Sequence, residues 1–558
     1  MLTVVGGSYG AAPVNTVAPA VTGTTTVGST LTTTDGTWTG APAPTFTYQW
    51  FRSPSTSIGG ATSSSYVLVI GDRGFGIFCR VKATNTIAPS GVTADSNTTA
   101  TVTSVPDAPT IGTATATGQT TATVAFTQPA NNGGSTITSY TATSSPSGIT
   151  GTLNQAGSGT ITVSGLAAST SYTFTVTATN AVGTSAASSA SNSITTDVAR
   201  QLWVSGRNNF GQLGLGDSGV YTYRSSPTQV GTLTNWSVTT GGQNFTTTVK
   251  TDGTLWSWGN NNRGQLGLGN SGTYFRYSSP KQVGSLTGWS KVSNGYAFTL
   301  AIKTDGTLWS WGGSGQGALG LGNVTYYSSP KQVGALTTWA NVSANAEGNP
   351  AIGLTTGGTI FTWGFNSYGQ LGLGNVTAYS SPKQVGSLTT WSKISMGQTW
   401  AGAIKTNGTL WMWGNGANGK LGLGNTTNYS SPVQVGSLTN WSQLSCNGNS
   451  HTLAVKTDGT LWSWGFGAYG ALGLSNTTSY SSPKQVGALT AWSKVAGGTL
   501  FSVALKTDGT LWTWGVNNFG QLGQNNLTNR SSPVQVGTLT TWLTIANTVN
   551  TLLVTKST

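Results

Sequence analysis

The pentapeptide "LWSWG" and close variants of it recur along the second half of this chain. They place Trp258, Trp311, Trp363, Trp413, Trp464 and Trp514 at spacings of 53, 52, 50, 51 and 50 residues. "LWVSG" (202–206) is a divergent further copy, and a second tryptophan recurs in "LTxW" from Trp236 to Trp542. A fixed period of this length means that one supersecondary unit is stacked on copies of itself, as a solenoid or a propeller, because a single unit cannot bury its apolar faces alone.

Within one repeat, "TLAIKTDGTLWSWG" (299–312) reads as two strands joined by Asp-Gly, a strong hairpin signal. Two further strand-like pieces follow, "SSPKQVG" and "WSKVSNG", which makes four strands per repeat. The last residues, "TLLVTKST" (551–558), match the first strand of that hairpin, and "RQLWVSG" matches the second. The two ends of the repeat region are therefore expected to complete one blade between them, closing a seven-bladed ring with no free edge.

The pattern "GQLGLG…SSPxQV…W…HTLAVKTDGTLWSWG" resembles the repeats of the regulator of chromosome condensation family. That resemblance covers residues 200–558 and implies a seven-bladed β-propeller. The photoreceptor branch of the family embeds its tryptophans in Gly-Trp-Arg-His motifs, which are absent here, so the tryptophans are expected to be core fillers. No residues match the family's nucleotide-exchange function.

Upstream, alternating apolar and hydroxyl residues are punctuated by Gly and Pro, the pattern of short β-strands. Residues 1–104 resemble immunoglobulin-like modules of bacteria and phages, with Trp50 of "YQWFR" as the strand-C tryptophan and "IFCRVKATN" (77–85) as strand F. Cys79 has no partner cysteine, and Ile77 stands where a corner tyrosine is usual. Residues 105–197 resemble a fibronectin type III domain, carried by "SGLAASTSYTFTVTATNAVGTSAAS" (164–188). The resemblance puts Leu166 and Tyr172 at the corner before strand F, with Phe174, Val176 and Ala178 pointing inward. The expected fold class is all-β: two β-sandwiches (1–104 and 105–197) followed by a propeller (198–558).

Charge is scarce. Only 6% of the residues are charged, against about 25% in ordinary domains. The +13 excess belongs to residues 200–558, which carry every basic residue except Arg52, Arg73, Arg80 and Lys82. Nine lysines fall in repeated "KT(D/N)G" and "SSPKQ" segments, which suggests a solvated rim spread round a ring rather than a nucleic-acid stripe. One histidine, one glutamate and two distant cysteines offer no catalytic constellation, metal cluster or cofactor site. His451 stands near where other repeats carry Phe or Trp, which assigns it to packing. The stretch "GQLGLG" (264–269) looks like a phosphate loop, but no helical pattern follows it and it recurs from blade to blade, so it is expected to be turn chemistry.

Binding is instead expected where the repeats differ. The first two carry longer loops before "SSP", gathering Tyr221, Tyr223, Tyr274, Phe275, Arg276 and Tyr277. A second variable loop follows each "W..V" strand and holds Glu347 and Trp400. Rigid aromatics among small polar neighbours suit an adaptable binding surface. The start, "MLTVVGGSYGAAPV", lacks a basic n-region and an apolar core, and no run is long enough to span a membrane. These features together are expected of a non-enzymatic bacteriophage virion appendage, made in the host cytoplasm. Its N-terminal modules would meet other virion proteins, and its propeller loops a host-surface glycan or protein, with a homo-oligomer allowed. A bacterial surface adhesin and a passive capsid decoration are the alternatives.

Overall fold

The computed structural model describes residues 10–446 and 450–558. Most of the opening segment and the core of the 446–450 loop lie outside the described residues. The chain divides into two compact units, Met1–Asp197 and Val198–Thr558. Among the described residues the regular structure is strand, with four short 3-10 turns, and no helix is long and apolar enough to cross a membrane.

Unit Met1–Asp197 holds two sandwich cores. In the first, Thr45–Arg52 pairs with Ile77–Thr84, setting Trp50 opposite Cys79, and both are fully buried beside Leu31 and Val81. Asp72 is fully buried too, and accepts from Arg52 Nε, Tyr66 Oη and the Val69 amide, each at 2.8 Å. Three donors satisfy its carboxylate, which an isolated buried charge could not survive without. In the second core, Ser171–Thr179 alternates buried and half-buried residues, and Phe174, Val176 and Ala178 point inward. The Ala167 amide donates to Tyr172 Oη at 2.9 Å, which is the expected corner.

Unit Val198–Thr558 is a ring of seven four-stranded antiparallel sheets. Blade 1 is built from both ends of the unit: Trp542–Asn547 and Thr551–Ser557 pair onto Arg200–Gly206 and Arg224–Gln229. Blade 2 runs Trp236–Gly241, Phe245–Lys250, Leu255–Asn260, Arg276–Gln282, and the five later blades repeat that order, ending with blade 7 at Trp492–Gln535. The first strand of each blade approaches the first strand of the next, so these strands form the innermost ring. Serines pin that ring: Ser293, Ser343, Ser395 and Ser445 each accept, through Oγ, an amide from the next blade, at 2.8–3.0 Å. The outermost strands all carry a central proline, such as Pro280 and Pro330, which removes a donor where a foreign strand would pair.

The recurring glycines clamp one blade to the next. In blade 2, a Cβ on Gly264 would lie 2.7 Å from Ser328 Cα of blade 3, and one on Gly267 would lie 2.7 Å from Trp311 Nε1. That indole donates to the Gln265 carbonyl at 3.0 Å, and Thr299 Oγ1 donates to the same oxygen at 2.9 Å. The Gly269 amide then donates to Ser328 O at 2.8 Å. The same indole-to-carbonyl bond recurs from Trp258 to Trp514 at 2.9–3.0 Å. "GQLGLG" is thus a close-approach loop, as expected, and its glycines are needed for space as well as for positive φ.

Candidate functional site

Antiparallel order fixes which loops share a face. Loops between the first and second strands, and between the third and fourth, emerge on one side of the ring. The "TDG" hairpins and the links between blades emerge on the other. Every residue expected to bind therefore belongs to the first side, called here the loop face, although the structure places them at different depths.

Tyr221 and Tyr274 stand almost free, 90% and 94% exposed, and Phe275 and Arg276 are exposed beside Tyr274. Tyr223 is half-buried in a loop held by Arg224, whose Nη2 pairs with Asp217 Oδ2 at 2.5 Å. Tyr277 is a fastening: Asn270 Nδ2 donates to its hydroxyl at 2.9 Å, and Asn323–Tyr327, Asn375–Tyr379 and Asn425–Tyr429 repeat the bond. No ring contact joins the tyrosines of the first long loop to those of the second among the described residues.

Glu347 and Trp400 lie deeper. Glu347 Oε1 accepts from Thr499 Oγ1 at 2.7 Å, joining blade 4 to blade 7, while Gln398 Nε2 of blade 5 donates to the Glu347 carbonyl at 3.1 Å. Burial pushes the Glu347 carboxyl above its ordinary range, only partly offset by the Thr499 bond. Trp400 is fully buried, packs under the Lys420 ammonium at 4.8 Å, and opens its strand as Phe245, Phe298, His451 and Phe501 open theirs. It has no surface to offer a ligand. Burial also brings the Lys420 ammonium down to about 8.

The expectation of solvated rim lysines needs correction for the "KT(D/N)G" set. Lys250 and Lys456 are buried, their ammonium groups 3.8 and 3.7 Å from the ring centres of Trp256 and Trp462, with Trp236 and Trp441 beyond. Paired indole faces attract a partly desolvated cation, so each of these lysines ties together the first three strands of its own blade.

A cluster not singled out in the sequence lies beside the second long loop. Arg263 Nη1 of blade 2 donates to Tyr326 Oη of blade 3 at 3.2 Å, and its guanidinium lies 5.6 and 6.0 Å from the Tyr326 and Tyr296 ring centres. A second junction repeats the chemistry, with Arg207 of blade 1 over Phe519 of blade 7 at 5.5 Å. The signal was present in the residue just before each "GxLG". That position is Phe210, Arg263, Tyr368, Tyr469 and Phe519 in five blades, bulky residues in a frame that otherwise repeats. Tyr469 even holds a left-handed φ of 58°, costly for an aromatic residue, while 54% exposed.

Comparison with known proteins agrees with the architecture. The family model "Regulator of chromosome condensation (RCC1) repeat" matches residues 252–302, 305–346, 357–404, 407–455, 458–505 and 508–546, and a second model of that repeat matches 441–471 and 492–521. The fibronectin type III model matches 107–194. The chain is 32% identical to the ultraviolet-B receptor UVR8 of Arabidopsis thaliana over 290 residues, which is 50% of this chain and 64% of the receptor. It is 29% identical to the E3 ubiquitin-protein ligase HERC2 of Homo sapiens over 196 residues, 34% of this chain and 4% of the ligase. The X-linked retinitis pigmentosa GTPase regulator of Canis lupus familiaris is 34% identical over 148 residues, 26% of this chain and 14% of the regulator. This chain thus covers less than two thirds of each of these relatives. Among solved structures, human WBSCR16 superposes with a TM-score of 0.57 at 22% identity, covering 64% of this chain and 99% of its own. Yeast RCC1 (Prp20), solved with Kap60, gives 0.56 at 17% identity over 64% of this chain and 89% of its own.

These relatives overturn the expectation of a bacteriophage virion appendage, its virion location and its bacterial-surface alternative. They are proteins of plants and mammals that are not virion components. The physical source of the error is the charge-poor, hydroxyl-rich composition. Those hydroxyls serve blade packing: Thr246, Thr299, Thr452 and Ser502 each donate to a carbonyl of the preceding blade at 2.8–2.9 Å. Residues 107–194 are a fibronectin type III domain, and the ring of Val198–Thr558 belongs to the regulator of chromosome condensation repeat family.

Proposed function

We propose that this chain is a non-catalytic binding protein, and that its propeller holds a protein partner on the loop face. The observation that carries the reading is the Arg263 cluster. A guanidinium already oriented by two tyrosines, and with no carboxylate partner among the described residues, is prepared to take one from another molecule. Tyr274, Phe275 and Arg276 extend the contact on the same blade, with Tyr221 and Tyr223 on the neighbouring one. Aromatic and arginine anchors of this kind dominate protein interfaces.

Charge supports an acid-bearing partner surface. The loop face has two carboxylates, Asp217 and Glu347; the first is paired to Arg224 and the second is largely enclosed. Among the structural neighbours, yeast RCC1 is described as bound to Kap60, and Prp20p is described by its binding to Gsp1p and histones. HERC2 is named a ligase, but its match to this chain is confined to 4% of its length. We also propose the three-part division 1–104, 105–197 and 198–558, with the sandwiches as spacers.

A photo-crosslinking residue at Phe275, with the same probe at Thr254 on the opposite face as control, tests the reading. The expected result is a protein adduct at Phe275 that is lost in Arg263→Ala. Adducts confined to Thr254, or indifferent to Arg263, would overturn it.

A further inference from the structure

The innermost ring carries a second feature, on the side away from the loop face. The third residue of the innermost strand is lysine in blades 3, 5 and 7, Lys291, Lys393 and Lys494, and is uncharged in the other four. Asn341 and Gln443 occupy that position in blades 4 and 6. Each lysine follows the same bulge: Trp289 pairs with Lys303 but Lys291 with Ile302, and the irregularity recurs before Lys393 and Lys494. A bulge re-aims the side chain that follows it. The next residues, Val292 and Ile394, are buried against the preceding blade, so the lysines are turned from that core. All three are exposed. Lys494 Nζ reaches the Leu543 carbonyl of blade 1 at 2.6 Å, across the blade junction.

No innermost strand carries a carboxylate among the described residues. The nearby hairpin aspartates are turned onto their own turns, as when Asp305 Oδ1 accepts the Thr307 amide at 2.9 Å and the Thr307 hydroxyl at 2.7 Å. Partial desolvation of the ammonium, and then the Arg200 cation, hold Lys494 below its ordinary range, and Arg200 Nε is buried without a partner among the described residues. Like charges gathered around one axis create a local potential that a multivalent anion relieves. Amides interleaved between them supply further donors.

We propose that the hairpin-side opening of the propeller axis binds a compact, multiply phosphorylated small molecule, held by Lys291, Lys393 and Lys494, with Arg200 at its edge. Lysine meets phosphate as a point charge and needs no fork geometry, which suits a ligand ringed by side chains of equivalent strands. Nucleic acid fits less well, because a backbone asks for a stripe of charge rather than a ring.

Calorimetric titration of the full chain with tripolyphosphate and inositol hexakisphosphate at low salt tests the site. One equivalent is expected to bind, more weakly as salt rises, and saturation is expected to raise the propeller's melting temperature. Lys291→Gln, Lys393→Gln and Lys494→Gln should each weaken binding about tenfold without changing the melting temperature of the free protein. Lys331→Gln, on an outermost strand, should leave binding unchanged. Absence of binding, many equivalents per chain, or equal loss in Lys331→Gln would overturn the proposal. So would an oligonucleotide that binds through these lysines while both phosphate probes are silent.

Discussion

The clamp between blades predicts that two glycines with similar backbone angles respond differently to alanine. Gly267 has a φ of 74° and Gly284 a φ of 59°, so alanine at either pays for a left-handed conformation, about 1–2 kcal/mol. Their surroundings differ. A Cβ on Gly284 meets nothing within 4 Å, whereas one on Gly267 lies 2.7 Å from Trp311 Nε1 and 3.0 Å from Val283 Cγ1. Trp311 is fully buried and cannot retreat into solvent. Its displacement breaks the 3.0 Å bond to Gln265 O and orphans the indole N–H, at about 1–3 kcal/mol, and overpacking adds about 1–3 kcal/mol. The Gln265 carbonyl keeps Thr299 as a partner, so only one group is orphaned. Gly284→Ala should therefore cost about 1–2 kcal/mol, and Gly267→Ala about 2–6 kcal/mol more. Urea unfolding followed by tryptophan fluorescence reads the propeller, since every tryptophan except Trp38 and Trp50 lies in it. Equal shifts of the two midpoints would refute the view that these glycines make room for the indole of the next blade.

Two further outcomes follow from buried polar groups. Ser502 Oγ donates to Ala471 O at 2.8 Å, so at its 2.8 Å contact with His451 Nε2 it accepts, and Nδ1 is buried with no partner among the described residues. Burial brings His451 down to about 4 from an ordinary 6.5; its contribution is complete above pH 6.5 and lost as pH falls towards 4, by about 3 kcal/mol in all. His451→Phe should remove that part of the pH dependence, and urea midpoints at pH 7.5 and 4.5 measure it. Asp72→Ala should destabilise the first sandwich by about 3 kcal/mol or more, because the Arg52 charge loses its buried partner. Faster hydrogen exchange over residues 45–84, with propeller exchange unchanged, is the expected reading.

Much of the fold was legible because repetition exposes constraint. Four strand signals per period, an Asp-Gly hairpin in most repeats and complementary ends suffice for a closed ring. The site was less legible. Tyr274 and Tyr277 lie three residues apart and look alike in sequence, yet one is almost free and the other accepts a bond repeated in other blades. Trp400 looked like an extra surface aromatic and is core, because its strand position is occupied by Phe in other blades. The lysines looked solvated because no sequence rule places an ammonium between two indoles that lie 14 residues back and six ahead, as Trp236 and Trp256 do for Lys250.

By itself, the sequence determined the period, the strand count per blade, the closure by the two ends and the rejection of "GQLGLG" as a phosphate loop, because each follows from local patterning or from repetition. Tertiary structure alone decided which glycine faces which indole, that Glu347 reaches Thr499 on a distant blade, and that Arg263 sits against Tyr296 and Tyr326. Those contacts cross blade junctions between residues 33 to 152 positions apart in the chain, and only the curvature of the closed ring brings them together.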